Sequence, residues 1–340
     1  MWLQSMGAAV TGYSLAPSTV PNLFTLCRMQ NRMTNHFADI RHLDQLSSAL
    51  SKSAPDIVFH LAAQPLVGVS YEQPVETMEI NALGTQHVLE ALKKTAGEAH
   101  AVQAVVHVTT DKCYENQAWA WGYRETDKLG GRDPYSLSKA CAELIIDSYR
   151  KAFFSADAPG GCRIPMASAR AGNAIGGGDW SADRLVPDCI RAMLRKEPVK
   201  LRYPQAIRPW QHVLEPLHGY LLLAERLAEE GDAFAQAWNF GPDDAETVTV
   251  EQLVARFCAQ WPDSPGYEVE ETGRRHEELD LKLDCSKANR FLGWYPQWNI
   301  DTALRKTSEW YRVFAEHRDA RAICIRQIRE YMEGAARHDH

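Results

Sequence analysis

Ala104-Val105-Val106-His107-Val108-Thr109-Thr110-Asp111-Lys112 decides how the rest of the chain is read. The first six residues are too evenly apolar for a strand with one wet face, and they predict a strand covered on both sides, at the centre of a sheet. The run stops at Thr110-Asp111-Lys112, which puts an acid and a base side by side at the strand's carboxyl end.

Strands and helices alternate outward from that strand. Downstream, Pro134 to Phe154 reads as a helix and Met166 to Arg170 as a strand. Upstream, Val75 to Leu92 carries apolar residues at helical spacing. Before it come a strand at Asp56 to Leu61, a helical stretch at about 42 to 53, and a short strand Phe37-Ala38-Asp39-Ile40. A strand at Ala8 to Tyr13, entered through Gly7, follows a helical start at Trp2, Leu3 and Met6. The βαβαβ rhythm predicts an α/β fold: a doubly wound parallel sheet, Rossmann-like, with ligands at the carboxyl ends of its strands. After Arg170 the pattern loosens through Gly176-Gly177-Gly178-Asp179-Trp180, a helix near 185 to 196 and a proline- and arginine-rich stretch from Pro198 to Trp210. A helix at about 214 to 230 and the strand Ala237 to Phe240 return to the sheet. The expected division is a dinucleotide-binding domain at 1–175 and 211–243, with a smaller substrate-capping domain at 176–210 and 244–340.

The chain has 340 residues, 45% hydrophobic and 24% charged, enough to bury a full core. With 37 basic and 44 acidic side chains the net charge is -7, which lacks the electrostatic footprint of a nucleic-acid binder and points to small-molecule partners. The eight cysteines include no C-x-x-C pair and no cluster at metal-ligand spacing, so no metal site is expected and the thiols read as reduced and cytoplasmic. Neither a basic leader nor a run of about 18 apolar residues is present, so no membrane partner is expected.

Among twelve tyrosines only Tyr135 has a lysine four positions on, Lys139, which places the two side chains on one helix face. The spacing alone is weak, and a solvated helix face is its bland reading. The chemical reading is that an ammonium favours the phenolate, so that Tyr135 takes a proton from a hydroxyl while Lys139 holds a nicotinamide ribose. Thr110-Asp111-Lys112 carries the same two readings: a strand-ending turn with a local ion pair, or a base at Lys112 beside an acid at Asp111 able to protonate a departing hydroxyl.

Taken with Ala38-Asp39-Ile40-Arg41, His60-Leu61-Ala62-Ala63-Gln64, Asn81-Ala82-Leu83-Gly84-Thr85 and Arg170-Ala171-Gly172-Asn173, these motifs resemble the extended short-chain dehydrogenase/reductases over nearly the whole chain, and within them the nucleotide-sugar 4,6-dehydratases. Finer features resemble the branch acting on CDP-glucose: Asp111-Lys112-Cys113-Tyr114, where related dehydratases show Asp-Glu, then Trp121-Gly122-Tyr123-Arg124-Glu125, Gly176-Gly177-Gly178-Asp179-Trp180, Arg208-Pro209-Trp210-Gln211-His212-Val213 and Trp238-Asn239-Phe240-Gly241-Pro242. The resemblance implies NAD as cofactor. Its adenine side would lie at Asp39 and Ile40, its backbone at Leu61, Ala62, Ala63 and Gln64, and its nicotinamide end at Tyr135 and Lys139. Tyr135 with Thr110 would serve oxidation at the sugar C4, and Lys112 and Asp111 the loss of water across C5 and C6. Asn173, Arg184 and Arg208 would hold the sugar nucleotide, the arginines through their planar forks. The triple glycine reads either as a close approach to phosphate or as a flexible turn, and Trp180 and Trp210 either as stacking platforms or as packing residues. Helices at 75–96 and 134–154 resemble those through which family members pair, implying a homodimer or homotetramer.

Two departures accompany the resemblance. No G-x-x-G-x-x-G loop occurs among the 21 glycines, and the family's first strand would precede Trp2, so the chain as given is expected to be N-terminally truncated, weak in NAD binding and poor in stability. No acidic residue precedes Asp39, so NAD over NADP is implied by the resemblance alone. Two further readings stay open: another nucleotide-sugar dehydratase or an epimerase, and a remnant that binds a sugar nucleotide without turnover.

Overall fold

The computed structural model describes residues 1–96, 102–156, 158, 162–243, 247–261, 263–270 and 281–335. Parts of the expected cap at 244–246, 262, 271–280 and 336–340 lie outside the described residues. The strands are β1 (Thr11–Ser14), β2 (Thr34–Phe37), β3 (Ile57–His60), β4 (Ala104–Val108), β5 (Met166–Ala171), β6 (Ala174–Ile175), β7 (Val199–Leu201), β8 (Ile207–Arg208), β9 (Gln211–His212), β10 (Ala237–Phe240), β11 (Val248–Thr249) and β12 (Tyr267–Val269).

The main sheet runs β10-β5-β4-β3, all parallel. Period-two alternation sorts its side chains between two layers of helix. Ala104 and Val106 of β4, with Ala167 and Ala169 of β5, pack under helices Leu214–Glu230 and Ser286–Leu292. Val105 and Met166 face the opposite way, into a core with Leu46, Val88, Leu89, Leu92 and Ile146 from helices Leu43–Ser53, Gly84–Thr95 and Pro134–Tyr149. Helices therefore cover both faces, and the fold is the doubly wound α/β class that the pattern predicts.

β1 and β2 pair in parallel as a separate two-stranded sheet, so β1 and β3 each keep an edge unpaired within the two sheets. Tyr13 of β1 still packs on the core shared with Val58 of β3. The strand expected at Phe37–Ile40 ends at Phe37. Its last ladder bond is Ala38 N to Ser14 O at 2.9 Å, after which Asp39 Oδ1 takes the Arg41 amide at 2.9 Å and turns the chain. The first strand likewise begins at Thr11 rather than Ala8.

A second core lies in the stretches expected to form the cap, with Val186, Ile190, Met193, Leu253, Phe257, Leu304 and Tyr311 buried together and joined by Cys27 and Met29 from the N-terminal part. Three small pairings knit its surroundings: β12 with β7, β11 with β8, and β6 with β9. The sequence division placed all of 244–340 in the cap. The helix Ser286–Leu292 and Trp294 pack instead on the sheet beside Trp238 and Phe240, because Ala288, Leu292 and Trp294 present one apolar face there.

Candidate active site

The Tyr135 helix starts where the sequence says it should: Asp133 accepts from the Ser136 amide at 2.9 Å, and Pro134 occupies the first turn. The expected single helix to Phe154 changes hand-over at Tyr149, and Arg150–Phe154 winds as a π-helix. Tyr135, Lys139 and Glu143 follow at intervals of four and are all buried. They meet the carboxyl ends of β4 and β5.

Thr110 caps the turn Asp111–Cys113, accepting from the Lys112 amide at 3.3 Å and donating to Asp111 Oδ1 at 2.9 Å. Gly172 lies against this carboxylate, since a Cβ there would come 2.9 Å from Asp111 Oδ2 and 3.1 Å from Pro209 Cγ. The end of β5, the Arg208-Pro209 corner and the Asp111 turn are thereby brought together, with Asn173 next in the chain. Burial raises the Asp111 pKa against the pull of Lys112, the Thr110 hydrogen bond and Arg208. The Lys112 ammonium is half-buried and makes no hydrogen bond or ion pair among the described residues.

Burial pushes the Tyr135 phenol up to about 12, opposed by the Thr110 hydrogen bond and by Arg184, while Asp111 and Asp133 push further up. The sequence reading gave Lys139 the task of favouring the phenolate. In the structure Thr110 and Arg184 do so, whereas Lys139 donates to the Val108 carbonyl at 3.3 Å. Burial brings Lys139 down to about 8, against Glu143 and Cys113. Arg184 also reaches Asp179 at 3.4 Å, and Arg208 is buried and donates to the Ile207 carbonyl at 2.9 Å.

The residues expected at the adenine side and the cofactor backbone converge on one helical segment. Ile40 packs against Gly84, where a Cβ would meet its side chain at 2.5 Å, and Asn81 holds both the amide and carbonyl of Gln64 at 2.8 and 3.0 Å. Asn81 also donates to Ser138 at 2.9 Å, tying the loop Leu61, Ala62, Ala63, Gln64 to the Tyr135 helix. The Gln64 side chain is turned inward, donating to Thr77 at 2.9 Å and accepting from the Leu66 amide at 2.6 Å. Asp39 is engaged by Arg41 at 2.7 Å, which holds its pKa below the usual carboxylate range.

The triple glycine is packed rather than open: a Cβ would meet Val213 at Gly176, Trp310 at Gly177 and Leu23 at Gly178 within 2.7 Å. Trp180 meets Tyr311 edge to face and Phe314 at a tilt, so it serves as packing. Sequence reading missed Glu143, which accepts from Thr109, from Ser168 Oγ at 2.7 Å and from Arg170 Nη2 at 2.7 Å. The available signal was its place four residues after Lys139. His60 and His107 fall within the sequence motifs without a role of their own, and the two rings lie buried edge to face with centroids 5.6 Å apart, kept neutral chiefly by burial.

A family model described as GDP-mannose 4,6 dehydratase matches residues 7–307. The chain belongs to the nucleotide-sugar 4,6-dehydratase family. Among relatives of this family, a CDP-glucose 4,6-dehydratase of Salmonella typhimurium is 45% identical over 99% of this chain and 93% of its own length. A dTDP-glucose 4,6-dehydratase of Haemophilus influenzae is 25% identical over 80% of this chain and 81% of its own. The dehydratase fold extends to solved structures. A UDP-glucose 4-epimerase of Thermotoga maritima superposes with a TM-score of 0.75 at 21% identity, covering 92% of this chain and 94% of that one. A dTDP-glucose 4,6-dehydratase of Streptomyces venezuelae, solved with NAD, gives 0.72 at 23% identity over 89% and 87%.

Proposed function

We propose that the chain converts CDP-glucose to CDP-4-keto-6-deoxyglucose with NAD as a resident cofactor. One observation carries the choice of nucleotide: 45% identity over 99% of the chain to a CDP-glucose 4,6-dehydratase, against 25% over 80% to a dTDP-glucose enzyme. The Asp111-Lys112 turn beside Tyr135 supports the same reading.

A nicotinamide cofactor fits the residues present. Lys139 is 6% exposed and has one acceptor, the Val108 carbonyl, which leaves two of its three N–H donors for ribose hydroxyls. Asp39 and Ile40 would take the adenine side, and Leu61, Ala62, Ala63 and Gln64 the cofactor backbone. Reversible hydride storage between C4 and C6 of the sugar is what the cofactor supplies when bound. Tyr135 takes the C4 hydroxyl proton on its phenolic oxygen, with Thr110 bonded to the same group. The ketone formed at C4 acidifies C5–H, and the Lys112 Nζ, acting as the neutral amine, accepts that proton and hands it back to C5 as C6 is reduced. Asp111, whose protonated form is favoured by burial, gives its proton to the C6 hydroxyl, which departs as water. Arg184 and Arg208 hold the diphosphate, and Asn173 the substrate between them.

Leu83 and Val75 on one helical segment, and Leu137 and Leu144 on the Tyr135 helix, are 46–70% exposed, which supports a homodimer or larger assembly through this face. Among the described residues no helix is long and apolar enough to cross a membrane, and a cytoplasmic site of action is the reading that goes with free cysteines.

The test is to incubate the purified chain and NAD with CDP-, dTDP-, UDP- and GDP-linked hexoses and to follow loss of water by mass spectrometry. Dehydration of CDP-glucose, at least tenfold faster than of the others, is expected. Faster turnover of another nucleotide would assign the chain to a different branch, and 4-epimerised product without water loss would make it an epimerase.

A further inference from the structure

The buried ion pair beneath the site does more than hold two elements together. Residues 105, 107 and 109 of one strand, and 166, 168 and 170 of its neighbour, point to the same face, which places Thr109, Ser168 and Arg170 opposite the Tyr135 helix. Glu143 gathers all three on its two oxygens. Arg170 in turn donates to the Tyr114 hydroxyl at 2.8 Å and the Glu125 carbonyl at 3.1 Å, and Tyr114 donates to Asn239 at 2.7 Å. Glu143 and Arg170 are each 3% exposed, so neither charge is screened by water.

We propose that Glu143 is a positioning residue that keeps the Lys139 side chain charged, while Arg170 keeps Glu143 itself ionised. The inference rests on the reading of Lys139 as the residue that holds the cofactor's ribose. The pair lies one helical turn apart, where side chains are neighbours. The groups facing Lys139 are Glu143 on its own helix, Tyr135 one turn before it, Cys113 on the turn after β4, and His60 and His107 on β3 and β4. Of these Glu143 is the strongest opposing influence to burial, the thiol of Cys113 is itself driven toward its neutral form by burial, and the two histidines are neutral. Glu143 stays ionised although burial opposes it, because Arg170, Thr109 and Ser168 all stabilise the carboxylate. A lysine buried to this degree without a counter-charge loses its proton near neutrality.

The test reads Lys139 directly, with neither substrate nor cofactor present. The protein is labelled with 13Cε-lysine, the Lys139 resonance is assigned from a Lys139→Arg variant, and its titration is compared between wild type and Glu143→Gln. A fall of about 1 pH unit or more in the Lys139 midpoint is expected for Glu143→Gln. Should that variant not fold, the double variant Glu143→Gln/Arg170→Gln removes both buried charges, and a smaller fall in the same direction is expected, because the cation that disfavours Lys139 protonation leaves together with the anion that favours it. An unchanged midpoint in whichever variant folds overturns the proposal, leaving Glu143 a structural residue only. The assignment of Lys139 to the cofactor is judged separately, by the NAD affinity of Lys139→Arg measured by calorimetry, so a failure there is distinguishable from a failure here.

Discussion

Two turns at the carboxyl ends of parallel strands have nearly the same composition and opposite electrostatics. Asp39-Ile40-Arg41 follows β2, and Asp111-Lys112 follows β4. At the first, the carboxylate is gripped by Arg41 through its side chain at 2.7 Å and through the backbone amide, and its pKa falls. At the second, the carboxyl is buried against Gly172 and Pro209, its neighbouring ammonium makes no ion pair with it, and its pKa rises. An acid next to a base is therefore not a motif with fixed chemistry. Where the base closes on the acid, a static ion pair results. Where no ion pair forms and the acid is buried, its protonated form is favoured instead.

The sharpest way to break this contrast is to neutralise each acid. Asp111→Asn keeps the shape of the turn and removes the transferable proton, and is expected to lower turnover of CDP-glucose by about 10²–10⁴-fold. Asp39→Asn acts at the proposed adenine side and is expected to raise the KM for NAD more than it lowers kcat. Steady-state kinetics of both variants, each checked for folding by circular dichroism, decide the matter, and equal losses in kcat would erase the distinction between the two turns.

The second largest effect concerns what lies beneath the β4 turn. Replacing Arg170 alone leaves Glu143 buried without its counter-charge, and Arg170→Gln is expected to destabilise the fold by about 3–5 kcal/mol in urea unfolding. Adding Glu143→Gln is expected to recover more than half of that loss, because two neutral amides demand less of the interior than one bare charge. A double variant no more stable than the single would mean that the cost comes from packing rather than charge. Nothing comparable is expected at Asp39 and Arg41, which have water at hand.

Much of this was legible in the sequence, and the limits of legibility follow the same contrast. The apolar run of β4, the capped start of the Tyr135 helix and the helix Leu214–Glu230 carry strong periodic signals, and they form where the pattern puts them. The strand at Phe37–Ile40 was displaced because Ala38 and Ile40 look apolar enough for a strand, while the turn was decided by one Asp39 side-chain bond to the Arg41 amide. The triple glycine reads either as a phosphate approach or as a flexible turn, and what packs against Gly177 is Trp310, more than a hundred residues away in sequence. Glu143 was passed over for the same reason: its partners Thr109, Ser168 and Arg170 come from two strands, and only the assembled sheet sets them opposite the helix.

A third effect tests burial away from the site. Glu215, at the start of the helix Leu214–Glu230, is fully buried and accepts from the Gln297 and Trp298 amides at 2.9 and 2.8 Å and from the Tyr331 hydroxyl. Burial outweighs these bonds and raises its pKa to about 7. Since the folded state then holds a proton that the unfolded chain releases near pH 4.5, the contribution is present at low pH and is lost as pH rises from about 4.5 to about 7, by up to about 3 kcal/mol. Stability of wild type minus that of Glu215→Gln should fall across this window. A flat difference would mean that the three donors, not burial, set its charge.

The smallest effect is the one that most sharpens the comparison. Arg41 reaches Glu76 at 3.2 Å and Glu79 at 3.4 Å as well as Asp39, with about a third of its own side chain and over two-fifths of each glutamate in water. Solvent screens such a network, so Arg41→Ala is expected to cost no more than about 1 kcal/mol, and the cost should shrink as salt is raised. The contrast with Arg170 lies in setting alone, since both are arginines paired with carboxylates near the carboxyl end of a parallel strand. A salt-insensitive loss of several kcal/mol at Arg41 would mean that the β1–β2 unit depends on its ion pairs as strongly as the β4 turn depends on burial, and the two turns, alike in composition, would then be alike in kind.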